Sequence, residues 1–119
     1  MAIQNFAGSW IAKRAHKTQW NTLANGDTGL PQTGARLSDK TVQVFGTFGA
    51  GGSIKIEGSN DGGTTWVTLR DPGGAALTFT SADMKHILEV PERIRPNVTA
   101  GDGTTALTCI IVENTTAGM

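Results

Sequence analysis

Apolar and polar residues alternate in short runs along most of this chain, and no stretch keeps a helical period long enough for a sizeable helix. Ser53-Ile54-Lys55-Ile56-Glu57 places its isoleucines on one side and its charges on the other, the signature of a half-buried strand. Thr41-Val42-Gln43-Val44-Phe45 repeats the pattern and is closed by Gly46 and by Gly49-Ala50-Gly51-Gly52. Trp66 to Leu69, Ala76 to Thr80, Ile87 to Pro91 and Arg93 to Thr99 read as further strands, and Pro96 predicts an edge or bulge in the last. Thr105 to Glu113 is apolar on both faces around Ile110, which predicts a central strand. Turn signals stand between these runs at Asp71-Pro72-Gly73-Gly74 and Gly101-Asp102-Gly103. Ser81 could cap a single helical turn over 81–84.

Seven to nine short strands with frequent turns predict an all-β fold, an antiparallel β-sandwich of jelly-roll-like form. Residues 1–36 stand apart, with sparse apolar positions, short strands near 7–12 and 17–23, and polar turn material at Asn25-Gly26-Asp27-Thr28-Gly29. They read as an N-terminal arm and loop, residues 37–113 as the sandwich core, and 114–119 as a small, polar C-terminal tail.

Ser59-Asn60-Asp61-Gly62-Gly63-Thr64-Thr65-Trp66 is the sharpest local signal. Its glycines allow φ > 0, Asp61 can accept bonds from turn amides, and Trp66 anchors the returning strand. Ser59, Asp61, Gly63 and Trp66 are therefore assigned to a structural hairpin turn.

Composition narrows the function. The 119 residues allow one domain, and 16 glycines with no tyrosine suit strands and tight turns. Ten Lys plus Arg balance ten Asp plus Glu, so the basic excess typical of nucleic-acid binders is absent. The arm carries the one basic and aromatic cluster, Trp10 to Trp20, and docking on a protein partner explains it better than nucleic acid does. Trp10, Arg14 and Trp20 are its candidate contact residues. No apolar run reaches membrane-spanning length, and the N-terminus lacks the pattern of a secretory signal, so synthesis in the host cytoplasm is expected.

Catalytic, cofactor and metal assignments are all none. Cys109 lies in the apolar run Leu107 to Val112 and reads as a core residue. His16 and His86 have no nucleophile elbow to serve, and the acids fall mostly in turns or on polar strand faces. Gly46-Thr47-Phe48-Gly49-Ala50-Gly51-Gly52 lacks the Lys-Ser/Thr that follows a phosphate loop.

Two resemblances add to this. Residues 59–66 match the Asp-box pattern Ser-x-Asp-x-Gly-x-x-Trp, which in its families is a structural hairpin away from the active site; a single copy cannot build a propeller. The succession Asn25-Gly26-Asp27-Thr28-Gly29, Asp39-Lys40-Thr41-Val42-Gln43-Val44, Gly46-Thr47-Phe48-Gly49, Glu57-Gly58-Ser59-Asn60-Asp61-Gly62 and Ile94-Arg95-Pro96 resembles small β-sandwich virion proteins of tailed bacteriophages. That resemblance implies a capsid decoration (cement) protein on the capsid surface, bound to the major capsid protein as a homo-oligomer, dimer or trimer. The alternatives are a carbohydrate-binding module on a phage head or fibre, and a tail or neck adaptor.

Overall fold

Inward-facing apolar residues at every second position force these strands into two layers, which a computed structural model describes for residues 2–34 and 37–114. In chain order the strands are β1 (Ile3–Gln4), β2 (Phe6–Ala12), β3 (Ala15–Leu23), β4 (Thr28–Gly29), β5 (Gln32–Thr33) and β6 (Asp39–Thr47). β7 (Ser53–Ser59), β8 (Val67–Thr68), β9 (Thr78–Phe79), β10 (Asp83–Ile87), β11 (Arg93–Ala100) and β12 (Ala106–Asn114) complete them. One sheet runs β1-β4-β11-β7-β8, with β5 also on β11 and β9 also on β7; the other runs β10-β6-β12-β3-β2. All pairs are antiparallel except β1 with β4.

The fold is the all-β sandwich expected. Among the described residues twelve strands rather than seven to nine appear, because five are two-residue pieces that no periodicity could register. No helix occurs among the described residues, and the turn expected over 81–84 gives way to bends at Ser81 and Ala82 and the start of β10. Met84 pairs Gln43 there, so the ladder to β6 outcompetes a capped turn. β12 is central, flanked by β6 and β3.

Pro96 departs from expectation, since β11 is an interior strand with β7 on one side and β4 and β5 on the other. The interruption between β4 and β5 falls beside Pro96, which has no N–H to donate. A register shift follows at Val98 to Ala100.

The expected division at residue 36 does not follow the sheets, and Arg36 itself lies outside the described residues. β1, β4 and β5 belong to one sheet, β2 and β3 to the other, and Trp20 and Leu23 are fully buried in the common core. Sparse apolar content misled because β3 needs an apolar residue only where it faces the opposite sheet, and two of those positions are His16 and Thr18. Of the tail, Asn114 closes β12 and 115–119 lie outside the described residues.

Val42, Val44, Ile54, Ile56, Ile94, Val98, Leu107, Cys109 and Ile111 join Trp20 and Leu23 in one cluster. Burial pushes the Cys109 thiol far above its ordinary value, so it stays protonated and inert. Asp27 ties the N-terminal strand to this body by accepting from Ala2 N (3.1 Å), Ala24 N (2.9 Å) and Gln4 Nε2 (3.0 Å). Burial would raise its pKa, but these three bonds outweigh it and hold the carboxyl below its usual value.

Candidate functional site

β7 and β8 form an antiparallel hairpin closed by residues 60–66, with Gly62 and Gly63 at φ of 76° and 96°. Only glycine adopts such angles without strain, which is why the bend can be this tight. Asp61 Oδ1 accepts from Thr64 N at 3.1 Å, Thr65 N at 2.8 Å and Ser59 Oγ at 2.7 Å. Bonds from the Thr65 amide, then Ser59, pull the Asp61 pKa down to about 2. Trp66 donates Nε1–H to Gly63 O at 2.9 Å, and the Arg95 guanidinium lies 4.0 Å from its ring centroid. Arg95 in turn donates to Glu57 Oε1 at 3.0 Å across the β11–β7 ladder. Ser59, Asp61, Gly63 and Trp66 are thus brought together in one turn, which Glu92 braces by accepting from Gly62 N and donating its own N–H to Asn60 Oδ1.

Asp102 serves a second turn in the same way. It accepts from Ala50 N (2.8 Å) and from Thr104 N and Oγ1 (2.8 and 2.6 Å), joining two loops. The Ala50 amide, followed by the Thr104 hydroxyl, lowers its pKa to about 2. Both carboxyls are depressed in the fold, so their stabilisation is complete above about pH 3.8 and is lost as the pH falls toward 2. The melting temperature of the wild type should therefore fall over that window. An Asp61→Asn, Asp102→Asn double variant should start lower at neutral pH and fall less steeply, and parallel acid limbs would refute the assignment.

Beside the Asp61 turn opens a cleft of about 450 Å³ lined by Ser59, Asp61, Val67, Arg70, Glu89 and Val90 among others. Its two carboxylates are already committed: Asp61 to the turn, and Glu89 to Arg70, whose N and Nε donate at 2.8 and 3.2 Å. The cleft lies at one end of the sandwich. There the strands of the second sheet meet in register, Asn114 opposite both Ala15 and Asp39, and Lys40 opposite Ile87. The β2–β3 turn, Lys13-Arg14, lies at this same end but at the opposite edge of the sheet from β10, beyond which Leu88 and Val90 are exposed.

The candidate contacts separate. Trp10 is 56% exposed and packs edge-on against His16, with ring centroids 4.9 Å apart. Arg14 lies in the β2–β3 turn and is half-buried. Trp20 is 0% exposed, so it is no docking residue. Its Nε1 donates to Leu30 O at 3.1 Å and Phe6 meets its ring at 69°.

Sequence reasoning missed a buried polar row. Lys40, Glu113 and His16 sit directly opposite one another on β6, β12 and β3, all facing inward. His16 Nδ1 is 3.7 Å from Glu113 Oε1, and Thr18 Oγ1 bonds Gln32 Oε1. The signal was present, since Lys40 shares the parity of Val42 and Val44, and Glu113 that of Cys109 and Ile111. This acid–histidine pair is enclosed between the sheets and does not line the cleft. Among the described residues no group of three or more His, Cys, Asp or Glu is placed to hold a metal ion.

No protein-family model matches this chain, and no curated protein sequence does. Among solved structures it is similar to the SPBc2 prophage-derived protein YomS, with a TM-score of 0.59 and 12% identity over 88% of this chain and 100% of that one. At that identity the likeness shows a shared fold. Peruvianin-I, a cysteine peptidase from Thevetia peruviana latex, aligns with a TM-score of 0.46 and 13% identity over 92% of this chain and 61% of that one, too slight to carry an argument.

Proposed function

We propose that this protein is a structural component of a tailed-phage virion, a decoration protein that docks on the major capsid protein at the capsid surface. The observation that carries the reading is one end of the sandwich, where Leu88 and Val90 are exposed beyond β10 and the basic β2–β3 turn lies at the opposite edge of the same sheet. Exposed apolar side chains at one edge of that end and basic ones at the other suit a protein surface bearing carboxylates. The prophage origin of YomS, whose whole chain shares this fold, supports a phage setting. The turns pinned by Asp27, Asp61 and Asp102 supply a rigid body, so little ordering entropy opposes docking. Many copies on one shell then add their individually weak contacts.

Trp66 offers little to the carbohydrate-binding alternative, because Arg95 already occupies one of its ring faces. Copy number separates decoration from a tail or neck adaptor. Purified virions should hold the protein in numbers comparable to the major capsid protein, and a handful per particle would favour the adaptor.

The docking surface is tested on shells stripped of this protein. Added wild type should coat them, and a Leu88→Asp, Val90→Asp variant should lose at least tenfold in affinity while keeping its thermal stability. Equal coating by the two proteins would overturn the assignment of this end.

A further inference from the structure

We propose that two copies of this chain associate through β2, edge to edge and antiparallel, so that the β10-β6-β12-β3-β2 sheet continues into that of its partner. A strand at the edge of a sheet exposes a row of backbone N–H and C=O groups that will pair with any compatible strand, and proteins normally blunt such edges. Among the described residues three of the four outer edges are blunted. β1, β8 and β9 are two residues long, and β10 carries Asp83, Lys85 and His86 among its five residues. β2 is different. It runs seven residues, Phe-Ala-Gly-Ser-Trp-Ile-Ala, with no charge and no proline, and six of those residues are exposed.

Its side chains show what the partner is. An antiparallel pairing of β2 with itself about a two-fold axis at Ser9 sets Phe6 opposite Ala12, Ala7 opposite Ile11, Gly8 opposite Trp10, and Ser9 opposite Ser9. Each bulky residue meets a small one, and the axis holds the small hydroxyl that can bond its own symmetry mate. The one irregularity of the strand, a register shift between Trp10 and Ala12, falls outside the three central pairs. Lys17, opposite Ser9 on β3, is kept about three strand spacings, roughly 14 Å, from its counterpart, beyond the screening length at physiological salt. A second copy is therefore the occupant that fits, both in backbone and in side-chain volume.

The pairing does not depend on the virion reading and is tested on the isolated full-length chain. Light scattering after size exclusion, over roughly 1 µM to 1 mM protein, should show the mass rise from 12.4 kDa to twice that value. Ser9→Lys sets two ammonium groups face to face on the axis at an exposed position, and should hold the mass at the monomer value throughout. Ser9→Cys should form a disulfide-linked dimer under mild oxidation at least tenfold faster than Met84→Cys on the blunted edge β10. The buried Cys109 does not compete in that assay. A wild type that stays monomeric at the highest concentration, a mass of three or more chains, a dimer unaffected by Ser9→Lys, or equal cross-linking at both cysteines would each overturn the proposal.

Discussion

Trp20→Ala should destabilise this protein by about 3–5 kcal/mol, a large fraction of what a domain of this size has in total. Trp20 is fully buried, and its neighbours cannot close over the gap. A Cβ added at Gly29 would stand 2.6 Å from Trp20 Nε1 and 2.5 Å from Pro96 Cδ, so backbone, indole and proline ring are already packed to contact. Removing the indole leaves a cavity lined by groups that two sheets hold in place. The Leu30 carbonyl also loses its indole donor. A second consequence separates this from a generic cavity: Phe6 leans on the Trp20 ring and is the residue by which β2 touches the core. Amides of β2 should then exchange with solvent markedly faster in the variant than those of β12. Urea denaturation measures the first effect and hydrogen exchange the second. A loss under about 1 kcal/mol would place β3 outside the core.

That residue also marks what could and could not be read from the amino-acid order. β6, β7 and β11 announce themselves through period-two alternation, because each is covered on its inner face by apolar residues, and β12 through its continuous apolar run. The Asp61 turn is legible for a different reason: Asp61 bonds Ser59, Thr64 and Thr65, and such local chemistry is written within the turn itself. β3 defeated the same reasoning. Its inward row is His16, Thr18, Trp20 and Leu23, broken by a register shift opposite Leu107 to Cys109, with Thr22 at φ 55°. A polar start and a bulge hide the alternation, so a core strand reads as part of an arm. The proposed docking end was legible only in part, since Arg14 lies in a recognisable turn while Leu88 and Val90 read as one more strand. Their exposure is decided by where β10 stops, at Ile87, and that depends on pairing with β6.

The two proposed surfaces combine in one geometry. Antiparallel pairing through β2 turns the Lys13-Arg14 ends of the two copies away from each other along the strand direction. A dimer built that way would present two docking ends to two different capsomers, and one rigid sheet would link them. Blocking the dimer with Ser9→Lys should therefore weaken coating of shells without abolishing it, as loss of one of two linked contacts does.

Glu113→Ala should be nearly as damaging as loss of Trp20, costing about 3–5 kcal/mol, because it strands a buried cation rather than because it deletes an attraction. Lys40 is fully buried, its Nζ has no hydrogen-bond partner among the described residues, and its counter-charge is Glu113, directly opposite on β12. Burial holds the Lys40 pKa below 10.5, with Glu113 and Asp39 pulling it partly back. Removing Glu113 takes away the larger of those two compensations. Replacing both groups, Lys40→Met with Glu113→Leu, should recover most of the loss, since apolar side chains of similar volume fill the same space without a desolvation cost. The pH dependence follows from the direction of the Lys40 shift. Between its lowered folded value and 10.5 the unfolded chain binds more protons than the folded one, so this residue makes stability rise with pH across that alkaline window. Lys40→Met should abolish the rise. Denaturant midpoints at neutral and alkaline pH for the wild type, the two single variants and the double variant test all three statements. A Glu113→Ala protein as stable as the wild type, or an alkaline rise that survives Lys40→Met, would show that the row across β6, β12 and β3 does not carry a buried ion pair.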